Sequence, residues 1–254
     1  ANVLVCSNGI PEAFDAYKIV QISDLHDAQI GENNETLIAM TAETEPDCIV
    51  LTGDFVDSSR FHPERSLSVA EALVKIAPVY YVSGNHEAIL PDEDYQALTD
   101  GLRGLGVCVL EDESAELTRD GQSIRLIGLT DIGFHPGTLE EKKDALRTAL
   151  SALLPEDEFS VTLAHRPELM DVYTECGAPL VLSGHAHGGQ IRLPGIGGLI
   201  APGQGLFPKY TEGKYEENGT TLVVSRGIGN SVLPLRVNDR PQIVVVQLAC
   251  NYRM

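Results

Sequence analysis

The stretch CIVLTGD, residues 48–54, places four apolar residues, two of them β-branched, before a Thr-Gly-Asp turn. A short apolar run bounded by turn residues is typical of a strand that is buried on both faces. The same pattern recurs at residues 17–24 (YKIVQISD) and 79–86 (VYYVSGNH). The stretches between these runs, 33–44 and 66–76, carry apolar residues at helical spacing. This alternation predicts βαβ units and a largely parallel sheet with helices on its faces.

The second half of the chain contains further strand candidates. They lie at residues 107–110, 116–119, 123–129, 159–164, 180–183, 221–225 and 243–248. Asp120-Gly121 indicates a two-residue hairpin turn. An apolar stripe from Ala145 to Leu153 predicts a helix, and another helix is expected from about Pro167. Two mixed sheets packed on each other and flanked by helices would hold all these elements. The predicted fold is therefore α/β, a four-layer α/β/β/α sandwich.

Length and composition predict one domain over residues 1–254. Of the 254 residues, 43% are hydrophobic, and no linker, repeat or low-complexity tract divides the chain. A chain of this size can bury a full core. No apolar run approaches the roughly 18 residues that are needed to cross a bilayer. The sequence starts at Ala1 rather than at Met, so it does not decide whether a signal or anchor segment lies upstream. Membrane association and localisation are therefore undecided as well.

The excess of acidic residues limits which partners are expected. Lys and Arg number 18 against 37 Asp and Glu, which gives a net charge of −19. Such a surface repels the nucleic-acid backbone, so we expect no nucleic-acid partner and disfavour a nuclease.

The five cysteines are odd in number and include no Cys-x-x-Cys pair. Buried free thiols are therefore favoured over disulfides or a thiolate metal site.

Side chains suited to metal binding are concentrated directly after the predicted strands. Five short motifs contain five of the seven histidines. The motifs are Asp24-Leu25-His26, Gly53-Asp54, Gly84-Asn85-His86-Glu87, His165 and Gly184-His185-Ala186-His187. Asp-x-His and Gly-Asp are weak indications alone, since both occur in ordinary turns. The last motif is a stronger one, because alternate residues of an extended segment point the same way.

Taken together, the motifs predict a pair of metal ions. The carboxyl ends of parallel strands converge at one edge of an open α/β sheet, which would bring the motifs to one site. They supply donors for two divalent cations, with the carboxylate of Asp54 shared between them. Imidazole and carboxylate donors without a thiolate favour Mn, Fe, Zn or Co over Mg or Ca. Such a pair activates water against phosphate esters. The alternative is a set of unrelated turns and core histidines.

The order of these motifs, from Asp24 to His187, resembles that of the calcineurin-like metallophosphoesterases. A further likeness runs through residues 182–192 (LSGHAHGGQIR), 202–205 (PGQG) and 225–227 (SRG). It is similar to the bacterial, often membrane-anchored branch that includes UDP-2,3-diacylglucosamine pyrophosphatases. The resemblance covers nearly the whole chain beyond residue 17. It implies two mixed sheets between helices, in agreement with the fold that the strand pattern predicts.

The resemblance also implies a role for each residue of the set. One metal ion would be held by Asp24, His26, Asp54 and His187. The second would be held by Asp54, Asn85, His165 and His185. His86 would contact the scissile phosphate and protonate the leaving oxygen, and imidazole with its ordinary pKa near 6.5 suits that task. The expected reaction is hydrolysis of a phosphodiester or pyrophosphate bond by a hydroxide that bridges the metals.

Two other functions stay open from the sequence. A phosphomonoesterase would use the same metals, and the shape of the pocket would separate it from a diesterase. A non-catalytic metal-binding scaffold is less favoured, because His86 and every ligand position of the family pattern are filled. The substrate is expected to be a phosphate ester or pyrophosphate, and a lipid-linked one if the natural chain has an upstream membrane segment.

Four further residues are weaker candidates. Arg60 and His62 follow the Asp54 motif and could meet a substrate phosphate, although a solvated loop is the favoured interpretation. Phe207 would line an apolar edge for a lipid or nucleoside group, or would anchor a long loop in the core, which is the favoured alternative. Glu87 would either steady a neighbouring imidazole or start the following helix.

Overall fold

The computed structural model describes residues 1–193, 195–230 and 236–251. The strands are β1 (Asn2–Ser7), β2 (Lys18–Ile22), β3 (Cys48–Thr52), β4 (Val79–Val82), β5 (Cys108–Val109), β6 (Glu113–Arg119), β7 (Gln122–Gly128), β8 (Ser160–Leu163), β9 (Leu180–Ser183), β10 (Arg192–Leu193), β11 (Gly197–Gly198), β12 (Ile200–Ala201), β13 (Gly205–Leu206), β14 (Gly213–Glu217), β15 (Thr220–Val224) and β16 (Val244–Cys250). The helices are α1 (Glu35–Glu43), α2 (Pro63–Leu73), α3 (Asp92–Gly104), α4 (Leu139–Leu153) and α5 (Met170–Cys176).

The strands form two mixed sheets of six strands each. In the first sheet the order is β1-β16-β2-β3-β4-β5, and only β16 and β2 pair antiparallel. In the second sheet the order is β14-β15-β9-β8-β7-β6, and the two outer pairs are antiparallel. Two antiparallel ribbons, β10-β11 and β12-β13, lie between β9 and β14 in the sequence.

Three buried layers of apolar side chains hold the sheets and helices together. The alternation of side chains along β3 shows how they arise. Val50 packs into the central core between the sheets, whereas Ile49 and Leu51 pack against the helices α1, α2 and α3. On the far side, Leu146 of α4 and Tyr173 of α5 pack against the second sheet. The order helix, sheet, sheet, helix confirms the predicted four-layer sandwich.

The predicted elements agree with the observed ones where apolar runs are long. The bounds of β4 and β9 are as expected, and α2 begins three residues earlier than predicted, at Pro63. Asp120 and Gly121 have φ values of 49° and 77°, as a two-residue hairpin requires. The elements β1, α3 and β10 to β14 were not predicted. Each offers few buried apolar residues; in β1 only Val5 is buried.

Two expectations from composition can be compared with the structure. All five cysteines are free, but Cys48 is the one that is buried, while Cys6 and Cys108 are exposed. The expectation of buried thiols therefore holds for Cys48 alone. Within residues 1–193, 195–230 and 236–251, every helix is too short or too polar to cross a membrane.

Candidate metal centre

Five parallel strands from both sheets end at one edge of the sandwich. The loops that follow β2, β3, β4, β8 and β9 carry Asp24, His26, Asp54, Asn85, His86, His165, His185 and His187. The buried side chain of Gln21 links the two sheets directly behind these loops. Its Nε2 donates to Thr52 Oγ1 at 3.0 Å and to the carbonyl oxygen of Ser183 at 2.9 Å. The loops therefore start from strand ends that are fixed relative to each other.

The first cluster contains Asp24, His26, Asp54 and His187, all of them buried, with donor atoms within 4.8 Å of one another. Nε2 of His26 lies 3.3 Å from Nε2 of His187 and 3.6 Å from Oδ2 of Asp54. Nε2 of His187 lies 3.3 Å from Oδ1 of Asp24. Two imidazoles and two carboxylates thus direct donor atoms into one small volume.

The second cluster contains Asp54, His165 and His185. Nε2 of His165 lies 3.2 Å from Oδ2 of Asp54 and 3.1 Å from Nδ1 of His185. The amide oxygen of Asn85 lies 3.2 Å from the same His165 nitrogen. The structure therefore brings all seven predicted donors together, and Asp54 is common to both clusters.

The protonation of the first cluster suits a cation. Burial lowers the pKa of His26 to about 4, although the carboxylate of Asp54 acts in the opposite direction. Burial also holds the pKa of His187, and that of His185 in the second cluster, well below the ordinary range of an imidazole. Neutral imidazoles are the form that binds metals. The ring nitrogens of His26 and His185 that lie at the clusters are Nε2 and Nδ1, respectively. These residues fit divalent cations.

Asp54 and His165 behave differently because they form a buried ion pair. Burial alone would raise the pKa of Asp54, but the adjacent His165 holds it well below its ordinary value. Burial alone would lower the pKa of His165, but Asp54 raises it to about 10. Burial raises the pKa of Asp24 to about 6. A cation at the second cluster would therefore have to displace a proton from His165.

The backbone at the clusters is strained. Five of the seven donors adopt positive φ values between 44° and 64°, namely Asp24, His26, Asp54, His185 and His187. Such conformations cost of order 1–3 kcal/mol each for residues other than glycine, and surrounding contacts must hold them. Gly184 shows how close those contacts are. A Cβ there would lie 1.8 Å from Ser23 Oγ and 2.4 Å from Asp24 Oδ2.

Glu87 holds the loop that carries Asp54. Its side chain is fully buried, and its carboxylate accepts four backbone hydrogen bonds. The donors are the N–H groups of Asp54 (2.9 Å), Phe55 (2.7 Å), Val56 (3.1 Å) and Gly84 (2.7 Å). Its contacts are with the backbone rather than with an imidazole, and it begins the short 3-10 helix of residues 87–89, which was the second of the two interpretations of the sequence. Its hydrogen bonds to the Asp54 loop were not predicted. Only the fold brings these four N–H groups together.

His86 lies against the first cluster, where its ring meets that of His26 edge-on at 4.5 Å between centroids. Its backbone N–H donates to Oδ1 of Asp54 at 2.8 Å. The N–H of Ser58 donates to Nδ1 of His86 at 3.2 Å, and Ser58 Oγ lies 3.0 Å from the same nitrogen. Because Nδ1 accepts, the proton of the neutral ring is on Nε2. Asp57 Oδ1 lies 3.7 Å from Nδ1.

The weaker candidates lie at the margin of the site. Arg60 is largely exposed and pairs with Asp57 at 3.1 Å, and His62 is half-exposed and pairs with Glu64 at 3.3 Å. Burial opposes ionisation of Asp57, but hydrogen bonds from Ser59 and Arg60 keep its pKa below the ordinary value. Phe207 is 65% exposed and does not anchor its loop in the core, whereas Ala201 and Tyr210 of the same loop are buried there.

Three charged residues that the sequence did not single out lie beside the histidines of the second cluster. The guanidinium of Arg166 donates to both oxygens of Asp131, at 2.7 and 3.0 Å, next to His165. Glu168 Oε1 lies 3.6 Å from Nε2 of His185. No local pattern marks these residues, because their partners come from other strands. Outer partners of this kind orient metal ligands in general.

Comparison with known proteins identifies the class. The chain matches the model of the calcineurin-like phosphoesterases over residues 17–189. It is 32% identical to an uncharacterised metallophosphoesterase of Bacillus subtilis, YkuE, over 95% of this chain and 82% of that protein. It is 29% identical to the Escherichia coli phosphodiesterase YaeI, over 91% of this chain and 82% of that protein. The crystal structure of TT1561 from Thermus thermophilus superimposes with a TM-score of 0.57 at 14% identity, covering 84% of this chain and 90% of that one, which shows a shared fold.

The chain therefore belongs to the calcineurin-like phosphoesterase family. It is a metal-dependent phosphoesterase, and its two buried Asp/His clusters fit the paired metal site of that family. The donor types do not select manganese over iron, zinc or cobalt.

Proposed function

We propose that the protein hydrolyses a phosphodiester or pyrophosphate bond with two divalent cations and with His86 as general acid. The observation that carries this proposal is the pair of buried clusters that share Asp54, with the ring of His86 packed against them. The similarity to a protein named as a phosphodiesterase supports a diester over a monoester.

The ligands of each cation follow from the clusters. One cation would be held by Asp24, His26, Asp54 and His187. The other would be held by Asp54, His165 and His185, with the amide oxygen of Asn85 beside them. When bound, the pair supplies Lewis acidity towards the phosphate oxygens and activates water.

His86 supplies the proton for the leaving oxygen. The acid form is the doubly protonated ring, in which Nδ1–H can be donated to Ser58 Oγ at 3.0 Å and Nε2 carries the hydrogen that is transferred. We infer that Nε2 of the imidazolium donates its hydrogen to the leaving oxygen as the phosphorus–oxygen bond breaks, which leaves a neutral imidazole. The carboxylate of Asp57, 3.7 Å from Nδ1, stabilises positive charge on the ring whenever both nitrogens are protonated. The side chain of His86 is 12% exposed, which limits competition from water.

A comparison of leaving groups tests the role of His86. p-Nitrophenolate leaves without a proton, whereas an alkoxide requires one. We expect His86→Asn to lower kcat/KM roughly 100-fold on a dialkyl diester such as glycerophosphocholine, and much less on bis-p-nitrophenyl phosphate. Metal content should stay at two ions per chain. An equal loss on both substrates would contradict the acid role.

The same assay separates the two esterase hypotheses. A diesterase should turn over bis-p-nitrophenyl phosphate faster than p-nitrophenyl phosphate under identical metal loading. The reverse order would favour a phosphomonoesterase. No turnover of either, with two metal ions bound, would favour the non-catalytic scaffold.

A further inference from the structure

A cavity of about 420 Å³ borders the first cluster, and His26 forms part of its wall. Two guanidinium groups and one imidazole within six residues of the sequence line it, those of Arg60, Arg65 and His62. The same wall contains two carboxylates, those of Asp27 and Asp57, so the orientation of the charged groups decides whether an anion can bind there.

The acidic groups in the same wall are turned into the protein. The carboxylate of Asp27 is buried and accepts hydrogen bonds from the N–H of Asp57, the N–H of His62 and the hydroxyl of Ser66, at 3.0, 3.0 and 2.8 Å. Asp57 is likewise buried, and it accepts from Ser59 and Arg60. Both carboxylates are therefore occupied by internal donors.

The basic groups are directed outwards. The side chain of Arg60 is 72% exposed even though it pairs with Asp57, and that of His62 is 49% exposed. Arg65, on α2, is also exposed, and it makes no ion pair within the part of the chain that the structure describes. A guanidinium binds phosphate or carboxylate through two parallel hydrogen bonds.

The size of the cavity limits what it can hold. Small-molecule sites commonly enclose about 300–1,000 Å³, so 420 Å³ suits part of a small substrate rather than a folded partner. The amides of Gln29 and Asn230 lie in the same wall and can complete the hydrogen bonding of an oxyanion.

We propose that this cavity binds a second anionic group of the substrate, a phosphate or a carboxylate, while the scissile phosphorus lies at the metal clusters. The preferred substrates then carry negative charge beyond the bond that is cleaved, as a pyrophosphate or a diester with a terminal phosphate does. This inference rests on the proposed function, since it assigns the substrate class of the same site.

Three matched esters test the inference on the metal-loaded full chain. Each is a p-nitrophenyl phosphodiester with a two-carbon arm. The arm ends in phosphate in the 2-phosphoethyl ester, in hydrogen in the ethyl ester and in trimethylammonium in the phosphorylcholine ester. The 2-phosphoethyl ester should exceed the ethyl ester in kcat/KM by roughly tenfold, the usual effect of hydrogen bonds to a charged group. The phosphorylcholine ester should be the poorest substrate of the three.

Substitution of Arg65 gives the second half of the test. Arg65→Gln should lower the ratio of kcat/KM between the phosphoethyl and ethyl esters at least about threefold. Lys75→Gln is the matched control, because Lys75 follows the same helix, pairs with Glu71 at 3.0 Å and lies outside the cavity. That control should leave the ratio and the basal activity unchanged.

Three results would overturn the inference. Equal kcat/KM for all three esters is one, and an unchanged ratio in Arg65→Gln is another. Activation of ethyl-ester turnover by free methyl phosphate, without any advantage of the phosphoethyl ester, would assign the cavity to a free anion instead. If no ester is hydrolysed, the proposed function fails. The inference is then tested by binding alone: calorimetry should give the lowest Kd for the phosphoethyl ester and the highest for the phosphorylcholine ester.

Discussion

The two metal clusters share Asp54 but differ in charge and in protonation. The first cluster adds a second carboxylate, Asp24, and two imidazoles whose pKa values are low because they are buried. The second cluster has Asp54 as its one carboxylate, and it holds a proton on His165, whose pKa is about 10. The comparison shows that donors of the same residue type differ in protonation when their burial and ion pairing differ. The first cluster is ready for a cation at neutral pH, and the second must first release a proton.

The change that should remove both clusters at once is Asp54→Asn. Because the carboxylate is common to both, we expect the loss of both cations and a fall in kcat/KM of more than about 100-fold, since even outer partners of a metal cost 10–100-fold. Elemental analysis of the purified protein and turnover of bis-p-nitrophenyl phosphate measure this. Asp100→Asn, in an exposed part of α3, should change neither quantity. One retained cation at full occupancy would show that Asp54 is not shared.

Glu87→Ala tests whether the hydrogen bonds that Glu87 accepts stabilise the loop that carries Asp54, the residue common to both clusters. It leaves four buried N–H groups without their acceptor, so the free energy of unfolding should fall by roughly 4 kcal/mol. For a chain of this size that lowers Tm by roughly 10 °C. Thermal unfolding in the presence of EDTA measures the effect without a contribution from metals.

The control for Glu87 is Glu71→Ala on the exposed face of α2, where the carboxylate pairs with Lys75. That change should cost no more than about 0.5 kcal/mol. A Tm shift in Glu87→Ala as small as in this control would contradict the supporting role of Glu87.

The number of protons released on binding distinguishes the clusters directly. At pH 7–9 the ring of His165 is protonated without a cation, because its pKa of about 10 lies above that range. Affinity for a cation at the second cluster of the metal-free protein should therefore rise with pH across this range. The donors His26, with a pKa of about 4, and Asp24, with a pKa of about 6, belong to the first cluster alone and have no proton to release above pH 7. Calorimetry in buffers of different ionisation enthalpy counts the protons. Equal release at both steps would contradict the comparison.

The smallest expected effect is that of a substitution at Phe207, in the loop that follows the metal clusters in the sequence. Because Phe207 is 65% exposed, Phe207→Ser should change the free energy of unfolding by no more than about 0.5 kcal/mol. If Phe207 forms an apolar edge of the site, kcat/KM for a diester with a long alkyl tail should fall a few-fold, while a small aryl diester is unaffected. Leu4→Ser, at an exposed apolar position on β1, should affect neither substrate. An equal loss on both substrates would argue against an apolar edge.

The strands that carry the site could be predicted from the sequence because both faces of those strands are covered. The apolar run of β3 is buried throughout, so its composition is distinctive, and the polar residue Asp54 follows its end. Since parallel strands end at one edge of a sheet, the donors that follow β2, β3, β4, β8 and β9 can be grouped from the order of the motifs alone.

The remaining features depend on contacts that local sequence does not record. The edge strand β1 buries only Val5 and pairs with β16 at the other end of the chain. Helix α3 has two apolar residues in its core-facing set, Leu98 and Leu102, together with glycines that disfavour helix. Glu87 accepts a hydrogen bond from the N–H of Asp54, which lies 33 residues away in the sequence. Such roles follow only from tertiary structure.

The most direct test of a paired metal site is anomalous diffraction from crystals soaked with Mn²⁺. Two peaks are expected, one beside each cluster, on either side of Asp54 and about 3.5–4 Å apart. A single peak at full occupancy, or peaks remote from Asp54, would contradict the paired site on which the proposed function depends.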